Sequence, residues 1–471
     1  MQPIEIPLWL VLVGGALAVW AVFARILAPG VRWFFRRRVN RFINRINERL
    51  DLRLPPFTLT RRRSLIDRLM YDPQVIYQVD LFCKENDVPR DVAMAKIEHY
   101  AKEIVPAFRP YIYFRLATWM ARRILRTLYR VRMGHGDQPA LKALGHDVST
   151  VFVMNHRSNM DYVLVAHLAR SRAALSFAAG EWARVWPIQQ LVKALGAYFV
   201  RRNSGNPLYR KVLERYVQMA VEGGVVQAVF PEGGLSRNGC LRKPRIGLLD
   251  YMLRTFRPDG DRDIVFVPVA VNYDRVLEDR TLLLNTDPDA ERRSGRRAVT
   301  KFFAFLARNI WLGLHGRWFR FGYAGANYGA PISLRQYLAE HNWNPHGLER
   351  GTRIERVKEL ADDLMTAIGN VVPVLPVSLV ATVFARDRDA MLSKAELGAR
   401  VEKLRAQLKK RDASLYTPRE NTEYTTEVGL RMLTLRNLLV DIGGKYGAKD
   451  SELKVINYYA NSIRHLLPGG E

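Results

Sequence analysis

Between residues 150 and 271 the chain alternates short β-branched or aromatic runs with helical patterns, and few architectures accept that alternation. The runs are Thr150 to Met154, Leu175 to Ala178, Ala197 to Val200, Val225 to Phe230 and Ile264 to Val271. Helical patterns separate them at Tyr162 to Ala169, Trp182 to Leu195, Leu208 to Val221 and Ile246 to Phe256. This predicts an α/β domain, a mixed and largely parallel sheet with flanking helices. In such sheets reactive residues gather at the carboxyl ends of the strands.

The flanks read differently. From about Ser64 to Arg132 apolar positions recur at helical spacing, as in Val75, Val79, Phe82 and Ile97, Tyr100, Ile104. Val88-Pro89-Arg90-Asp91 opens a helix with Pro near its first turn. Trp119 to Arg130 is cationic and amphipathic, which suits core packing and membrane contact equally. From Ser333 onward the chain again reads as helix, with charged stretches such as Glu402 to Arg411. Val371 to Ala385 is apolar but short, with Pro373 and Pro376 inside it; a buried or surface-embedded helix fits better than a crossing.

The charge is lopsided. A net charge of +27 over 471 residues calls for a polyanionic partner, whether nucleic acid, anionic lipid or a phosphorylated substrate. Residues 25–63 hold twelve arginines and no lysine against Glu48 and Asp51. Just before them, Ile6 to Ala24 carries no charge, and Ile26-Leu27-Ala28 extends it. That length suits a bilayer crossing of roughly 20 residues. Only Glu5 precedes it, whereas a secretory signal carries positive charge there. A retained anchor is therefore expected, with the arginines left in the cytoplasm. Trp33-Phe34-Phe35, Arg36-Arg37-Arg38, Phe42, Ile43 and Ile46 have the spacing of a basic interfacial helix, or of a solvated basic helix joining anchor to domain. No nucleic-acid module accompanies the block. Cys83 and Cys240 stand apart in no ligand spacing, as in a reducing compartment without disulfides or a zinc site.

The expected organisation is thus an anchor at 1–31, a basic juxtamembrane segment at 32–63, a helical region at 64–135, the α/β domain at 136–332 and a C-terminal helical region at 333–471.

Chemistry concentrates after the first strand, in Asn155-His156-Arg157-Ser158-Asn159-Met160-Asp161. A five-residue interval misses one face of a continuous helix. The pair therefore needs a turn, with His156 on the loop, Asp161 in the first helical turn, and Ser158 or Asn159 as cap. A carboxylate there can hold the imidazole in one tautomer, making a general base beside an arginine suited to phosphate. The plainer reading is a surface histidine and an aspartate that complements the helix dipole.

Three later strand ends carry similar material. Gly196-Ala197-Tyr198-Phe199-Val200-Arg201-Arg202 ends in paired guanidinium groups able to clamp a phosphate, or in a solvated strand end. Phe230-Pro231-Glu232-Gly233-Gly234-Leu235-Ser236-Arg237 ends in a turn whose glycines allow close backbone approach. Val267-Pro268-Val269-Ala270-Val271-Asn272-Tyr273 contains a proline that fits a strand margin or an edge.

In order and spacing these four blocks resemble the four motifs of the glycerolipid acyltransferases, and most of all the bacterial membrane-bound glycerol-3-phosphate acyltransferase type. His156 to Asp161 fits that type's His-Arg-Ser-x-Met-Asp block, with Asn159 where a second histidine is common. Gly196 to Arg202 and Glu232 to Arg237 fit the second and third blocks, with Leu235 where an arginine is common. Pro268 and Tyr273 fit the fourth, and the resemblance runs on to Tyr458-Tyr459-Ala460-Asn461-Ser462-Ile463.

The resemblance implies that His156, oriented by Asp161, deprotonates the sn-1 hydroxyl of glycerol 3-phosphate. The oxygen then attacks a fatty acyl thioester. It implies acceptor-binding roles for Arg157, Ser158, Arg201, Arg202 and Arg237, and glycerol positioning by Glu232 and Ser236. Amides near Gly233 would face the oxyanion, and Pro268 and Tyr273 would complete the site. It implies no metal and no cofactor beyond acyl-CoA or acyl carrier protein as co-substrate. The expected partners are an anionic phospholipid membrane and no nucleic acid, at the bacterial inner membrane with the catalytic domain facing the cytoplasm. Rival readings are an acyltransferase using dihydroxyacetone phosphate or lysophosphatidate, and a non-catalytic basic membrane adaptor.

Overall fold

The computed structural model describes residues 54–134, 147–169, 174–180, 188–201, 204–284 and 321–469, with positions 140–141, 143–145 and parts of 7–48. It divides into residues 1–53 and 54–471. In the first unit the described positions from Leu8 to Trp20 are helical, and Leu8, Trp9, Val13, Leu17 and Trp20 are exposed. Apart from Pro7, the other residues of the expected anchor, and Trp33-Phe34-Phe35 of the basic segment, lie outside the described residues. Among the described residues no helix is long and apolar enough to cross a membrane.

The second unit is organised by a mixed sheet. Its strands are β1 Arg130–Met133, β2 Val148–Met154, β3 Ser176–Ala179, β4 Tyr198–Phe199, β5 Gln227–Val229, β6 Asp263–Tyr273, β7 Tyr323–Tyr328 and β8 Ile332–Ser333. They run in the order β1-β7-β6-β2-β5-β3-β4, with β8 also against β6. Only the pairings of β6 with β7 and β8 are antiparallel; the others are parallel, as the alternation predicts. β2 and β6 share the longest register, Val148↔Asp263 through Met154↔Val269. Val151, Phe152, Val153, Phe266, Val267 and Val269 are all buried there. Continuous apolar runs are what a sheet covered on both faces requires.

β1 departs from the expected pattern, because the helical spacing ends at Leu128 and Arg130–Met133 pairs with β7. Pro268 departs as well. It lies in the middle of an internal strand, paired with Val153 on one side. On its other side it falls between the β8 partners Val265 and Phe266 and the first β7 partner Val269, so no ladder bond needs its missing N–H. Its carbonyl still accepts from Gly329 N at 2.8 Å.

Helices α1 Arg62–Met70, α2 Pro73–Asn86, α3 Arg90–Ile104 and α4 Thr118–Leu128 precede the sheet. Between or after strands come α5 Asp161–Ala169, α6 Ile188–Ala194, α7 Pro207–Glu222, α8 Gly247–Leu253 and α9 Asp279–Leu284. Asn206 caps α7 by accepting from Leu208 N at 2.9 Å and Tyr209 N at 3.2 Å. That helix packs on α2, α3 and α8 through residues such as Leu208, Val212 and Val217.

The remaining helices are α10 Leu334–Glu340, α11 Arg350–Asn370, α12 Pro376–Arg386, α13 Lys394–Lys409, α14 Thr422–Leu435 and α15 Leu453–Ala460. α12 is the expected short apolar helix. It is buried among α13, α14 and α15, with proline in its first turn. Burying each of its valines and leucines contributes about 1.5–3 kcal/mol. A second sheet breaks the expected all-helical flank: β9 Leu392–Ser393, β10 Leu439–Ile442 and β11 Lys445–Ala448, all antiparallel. Gly443 and Gly444, both at positive φ (60° and 79°), form the two-residue turn of its hairpin.

Candidate active site

Where β2 ends, a side chain continues the ladder. Asn155 Nδ2 donates to Val271 O at 3.0 Å and its Oδ1 accepts from Val271 N at 2.8 Å. This splice to β6 lets the backbone leave the sheet at His156. That residue is then held by the loop after β5: His156 N donates to Glu232 Oε1 at 3.1 Å, and His156 O accepts from Ser236 N at 2.9 Å.

The required turn follows. Asp161 N donates to Ser158 O at 3.0 Å, and Ser158 Oγ caps the turn by accepting from Met160 N at 3.1 Å. Asp161 opens α5 fully buried, and its Oδ2 lies 2.9 Å from His156 Nδ1. The same oxygen accepts from Arg157 N at 2.7 Å and Ser158 N at 3.0 Å. Oδ1 accepts from Tyr273 Oη at 2.7 Å. With acceptor-only neighbours at Nδ1, the ring hydrogen sits there and Nε2 carries the lone pair. Burial, and next the charge of Asp161, push the Tyr273 phenol well above its usual range, so it remains a donor.

The imidazole lies nearly parallel to Phe230, centroids 4.1 Å apart, with Tyr162 edge-on at 5.6 Å. It borders a cavity of about 300 Å³ whose wall includes Tyr162, Leu213, Val229, Phe230, Leu248 and Leu249, with Arg201, Arg210 and Arg245. Gly233 and Gly234 also line it. Gly233 has φ +64°, and a Cβ there would stand 2.5 Å from Arg245 Cδ, so the loop is glycine both for its conformation and for closeness.

The other expected binding residues divide. Arg201 reaches the cavity wall, but its guanidinium is bidentate to Glu103 at 2.9 and 2.5 Å and lies 5.2 and 5.0 Å from the ring centroids of Tyr100 and Tyr209. Arg202 lies outside the described residues. Arg157 is buried behind the base and off the cavity wall: Nη1 donates to Gly239 O, and its guanidinium lies 5.0 Å over the Tyr458 ring. Arg237 is exposed and off the wall. Ser158 Oγ donates to Glu278 Oε2 at 2.8 Å. Ser236 Oγ closes its own turn, donating to Cys240 O at 2.6 Å and accepting from Gly239 N at 3.1 Å. Glu232 lies beneath His156, off the wall, where burial raises its carboxyl to about 8 against partial opposition from His156 N–H, Arg157 and Arg242. Tyr273 acts on Asp161, and Pro268 stays in the sheet.

Sequence reasoning missed Glu278, which also accepts from Asn159 N at 3.2 Å and so fastens the turn between base and carboxylate. It missed Arg210 and Arg245, which no motif spacing marks. The resemblance extends to Tyr458–Ile463 but implies no role for those residues. Tyr458 Oη donates to Arg157 O at 3.4 Å, and Asn461 Nδ2 donates to Asn238 O at 2.9 Å. Asn272 Nδ2 reaches Ser462 Oγ at 3.3 Å, and Tyr459 Oη donates to Asp279 Oδ2 at 2.5 Å, beside Arg436. These contacts tie α15 and the turn after it to the dyad loop, the loop after β5, β6 and the start of α9.

A buried His–Asp pair at a strand end of a largely parallel sheet thus borders a cavity whose wall carries three arginines. Residues 138–272 match the family described as Acyltransferase. Residues 312–468 match the glycerol-3-phosphate acyltransferase C-terminal region. Curated relatives named glycerol-3-phosphate acyltransferase include that of Xanthomonas campestris pv. campestris, 28% identical over 87% of this chain and 46% of its own length. That of Pseudomonas aeruginosa is 27% identical over 91% of this chain and 51% of its own. That of Pseudomonas paraeruginosa is 30% identical over 73% and 41%. The chain is similar to these glycerol-3-phosphate acyltransferases, and it spans about half the length of the curated relatives it matches.

Proposed function

We propose that the chain is a membrane-bound acyltransferase that moves a fatty acyl group from acyl-CoA or acyl carrier protein to the sn-1 hydroxyl of glycerol 3-phosphate. The product is 1-acyl-glycerol 3-phosphate. The observation that carries this reading is the buried pairing of His156 Nδ1 with Asp161 Oδ2 at 2.9 Å, bordering the basic cavity.

His156 Nε2 takes the hydroxyl proton as the oxygen attacks the thioester carbonyl. The imidazolium that forms stands against a carboxylate already fixed by two backbone amides and the Tyr273 phenol. The Gly233 amide is donated to Phe230 O at 2.9 Å, which leaves the Gly234 amide, on the same wall, for the developing oxyanion. Collapse breaks the carbon–sulfur bond, and His156 returns its proton to the thiolate. Residues 6–28 with the arginines after them are the proposed anchor, at the bacterial inner membrane with the catalytic domain facing the cytoplasm.

The test is a purified full-length preparation given acyl-CoA or acyl carrier protein donor with glycerol 3-phosphate, dihydroxyacetone phosphate or lysophosphatidate in parallel. Glycerol 3-phosphate is expected to be preferred. His156→Ala and Asp161→Asn should abolish nearly all transfer while vesicle binding persists. Preference for lysophosphatidate, or full turnover by His156→Ala, sinks the proposal.

A further inference from the structure

Two arginines on the cavity wall have no part in the geometry above. Arg210 stands in the first turn of α7, and Arg245 leads into α8. Both are exposed, and neither guanidinium has an ion-pair or hydrogen-bond partner among the described residues. Arg201 on the same wall is neutralised by Glu103, and Arg157 is turned to Gly239 O.

Both positions are held from behind. Arg245 N donates to Pro231 O at 2.7 Å, and its side chain crosses Gly233, next to the Glu232 that holds the His156 amide. Arg210 follows Tyr209, whose phenol donates to Phe199 O at 3.1 Å and accepts from Arg201 N at 2.9 Å. Two guanidinium groups without counter-ions among the described residues thus border the space that the imidazole borders, with Leu213, Phe230 and Leu249 as apolar wall. Arginine's planar fork of donors matches phosphate oxygens in pairs.

We infer that Arg210 and Arg245 hold a phosphate group in this cavity. The inference rests on the acyl-transfer reading of His156 and assigns phosphate recognition to residues outside the four motif blocks. The phosphate has two chemical sources, the monoester of the acceptor and the phosphopantetheine of the donor, since both substrates meet at one imidazole.

Arg210→Gln, Arg245→Gln and Arg245→Lys in the full chain test it. Both side chains are exposed, so the variants are expected to melt with the parent. Calorimetry with inorganic phosphate and with glycerol 3-phosphate needs no turnover. Each glutamine variant should weaken binding by about tenfold or more, and lysine should recover part of it. In steady state, a raised KM for glycerol 3-phosphate at unchanged KM for acyl-CoA assigns the acceptor's phosphate. A raised KM for acyl-CoA, with an acyl-pantetheine lacking phosphate unaffected, assigns the donor's. Unchanged phosphate binding and unchanged KM for both substrates in the glutamine variants, or a parent that binds no phosphate, overturns the inference. A parent that binds phosphate through these arginines but transfers no acyl group overturns the acyl-transfer reading and leaves the phosphate site standing.

Discussion

The Tyr273 phenol and the His156 imidazole hold opposite oxygens of Asp161, Oδ1 at 2.7 Å and Oδ2 at 2.9 Å. A strand that pairs alongside β2 thereby fixes the plane of the carboxylate that fixes the base. Tyr273→Phe removes one donor and keeps the ring. It should lower kcat by about tenfold, roughly 1–2 kcal/mol, with little change in either KM. An unaltered kcat would mean that the two backbone amides alone suffice.

Glu232 makes stability pH-dependent. Its carboxyl, ordinarily near 4.5, is raised to about 8 by burial, so across that window the folded chain keeps a proton that the unfolded chain has lost. Stability therefore falls as pH rises through the window and levels off above it. Asp274, raised from 3.8 to about 7 by burial, adds a slope of the same sign lower in pH. Glu232→Gln keeps an acceptor for His156 N–H and cannot ionise. Its Tm should fall less steeply with pH than the parent's, and parallel curves would contradict the assignment.

Gly239 has φ +91°, and a Cβ there would land on the Tyr458 carbonyl oxygen. Gly347 has φ +87° with open space around it. Gly347→Ala should cost only backbone strain, about 1 kcal/mol, whereas Gly239→Ala should cost more than about 2 kcal/mol in urea unfolding. Equal costs would show that the α15 contact yields.

Arg157 over the Tyr458 ring, at 5.0 Å, gives a graded comparison. Tyr458→Phe keeps the ring and loses only the 3.4 Å hydroxyl contact, so stability should change little. Tyr458→Leu removes the cation–π contact beneath a buried guanidinium and should cost about 1 kcal/mol or more. Chemical denaturation of both variants decides it, and identical midpoints would remove the ring from the account.

Much of this was written locally. The five-residue interval from His156 to Asp161 demands the turn that forms, and apolar runs at β2 and β6 demand a sheet buried on both faces. Partnership across long separations was not legible. Glu278 fastens Ser158 and Asn159 from 120 and 119 residues away, and nothing in its own segment marks it. Arg157 and Arg237 read alike beside their motifs, yet one is buried against Tyr458 and the other is exposed. Pro268 suggested an edge because a proline's missing donor matters only where a neighbour is aligned, and the gap between β7 and β8 is a tertiary fact. The β10–β11 hairpin is not legible in the sequence, because four-residue strands beside Gly443-Gly444 carry too little apolar pattern to register.

Tyr458 donates to the carbonyl of Arg157 across 301 residues, and Asn461 braces Asn238 across 223. Contacts of that separation cannot form while the ribosome still holds the later partner. The strand that bears the histidine is synthesised early, yet its loops gain their final support only when α15 emerges. A nascent chain arrested before Leu453 should therefore have its dyad on an unbraced loop, and catalytic competence would come late in synthesis, well after most of the sheet has been made.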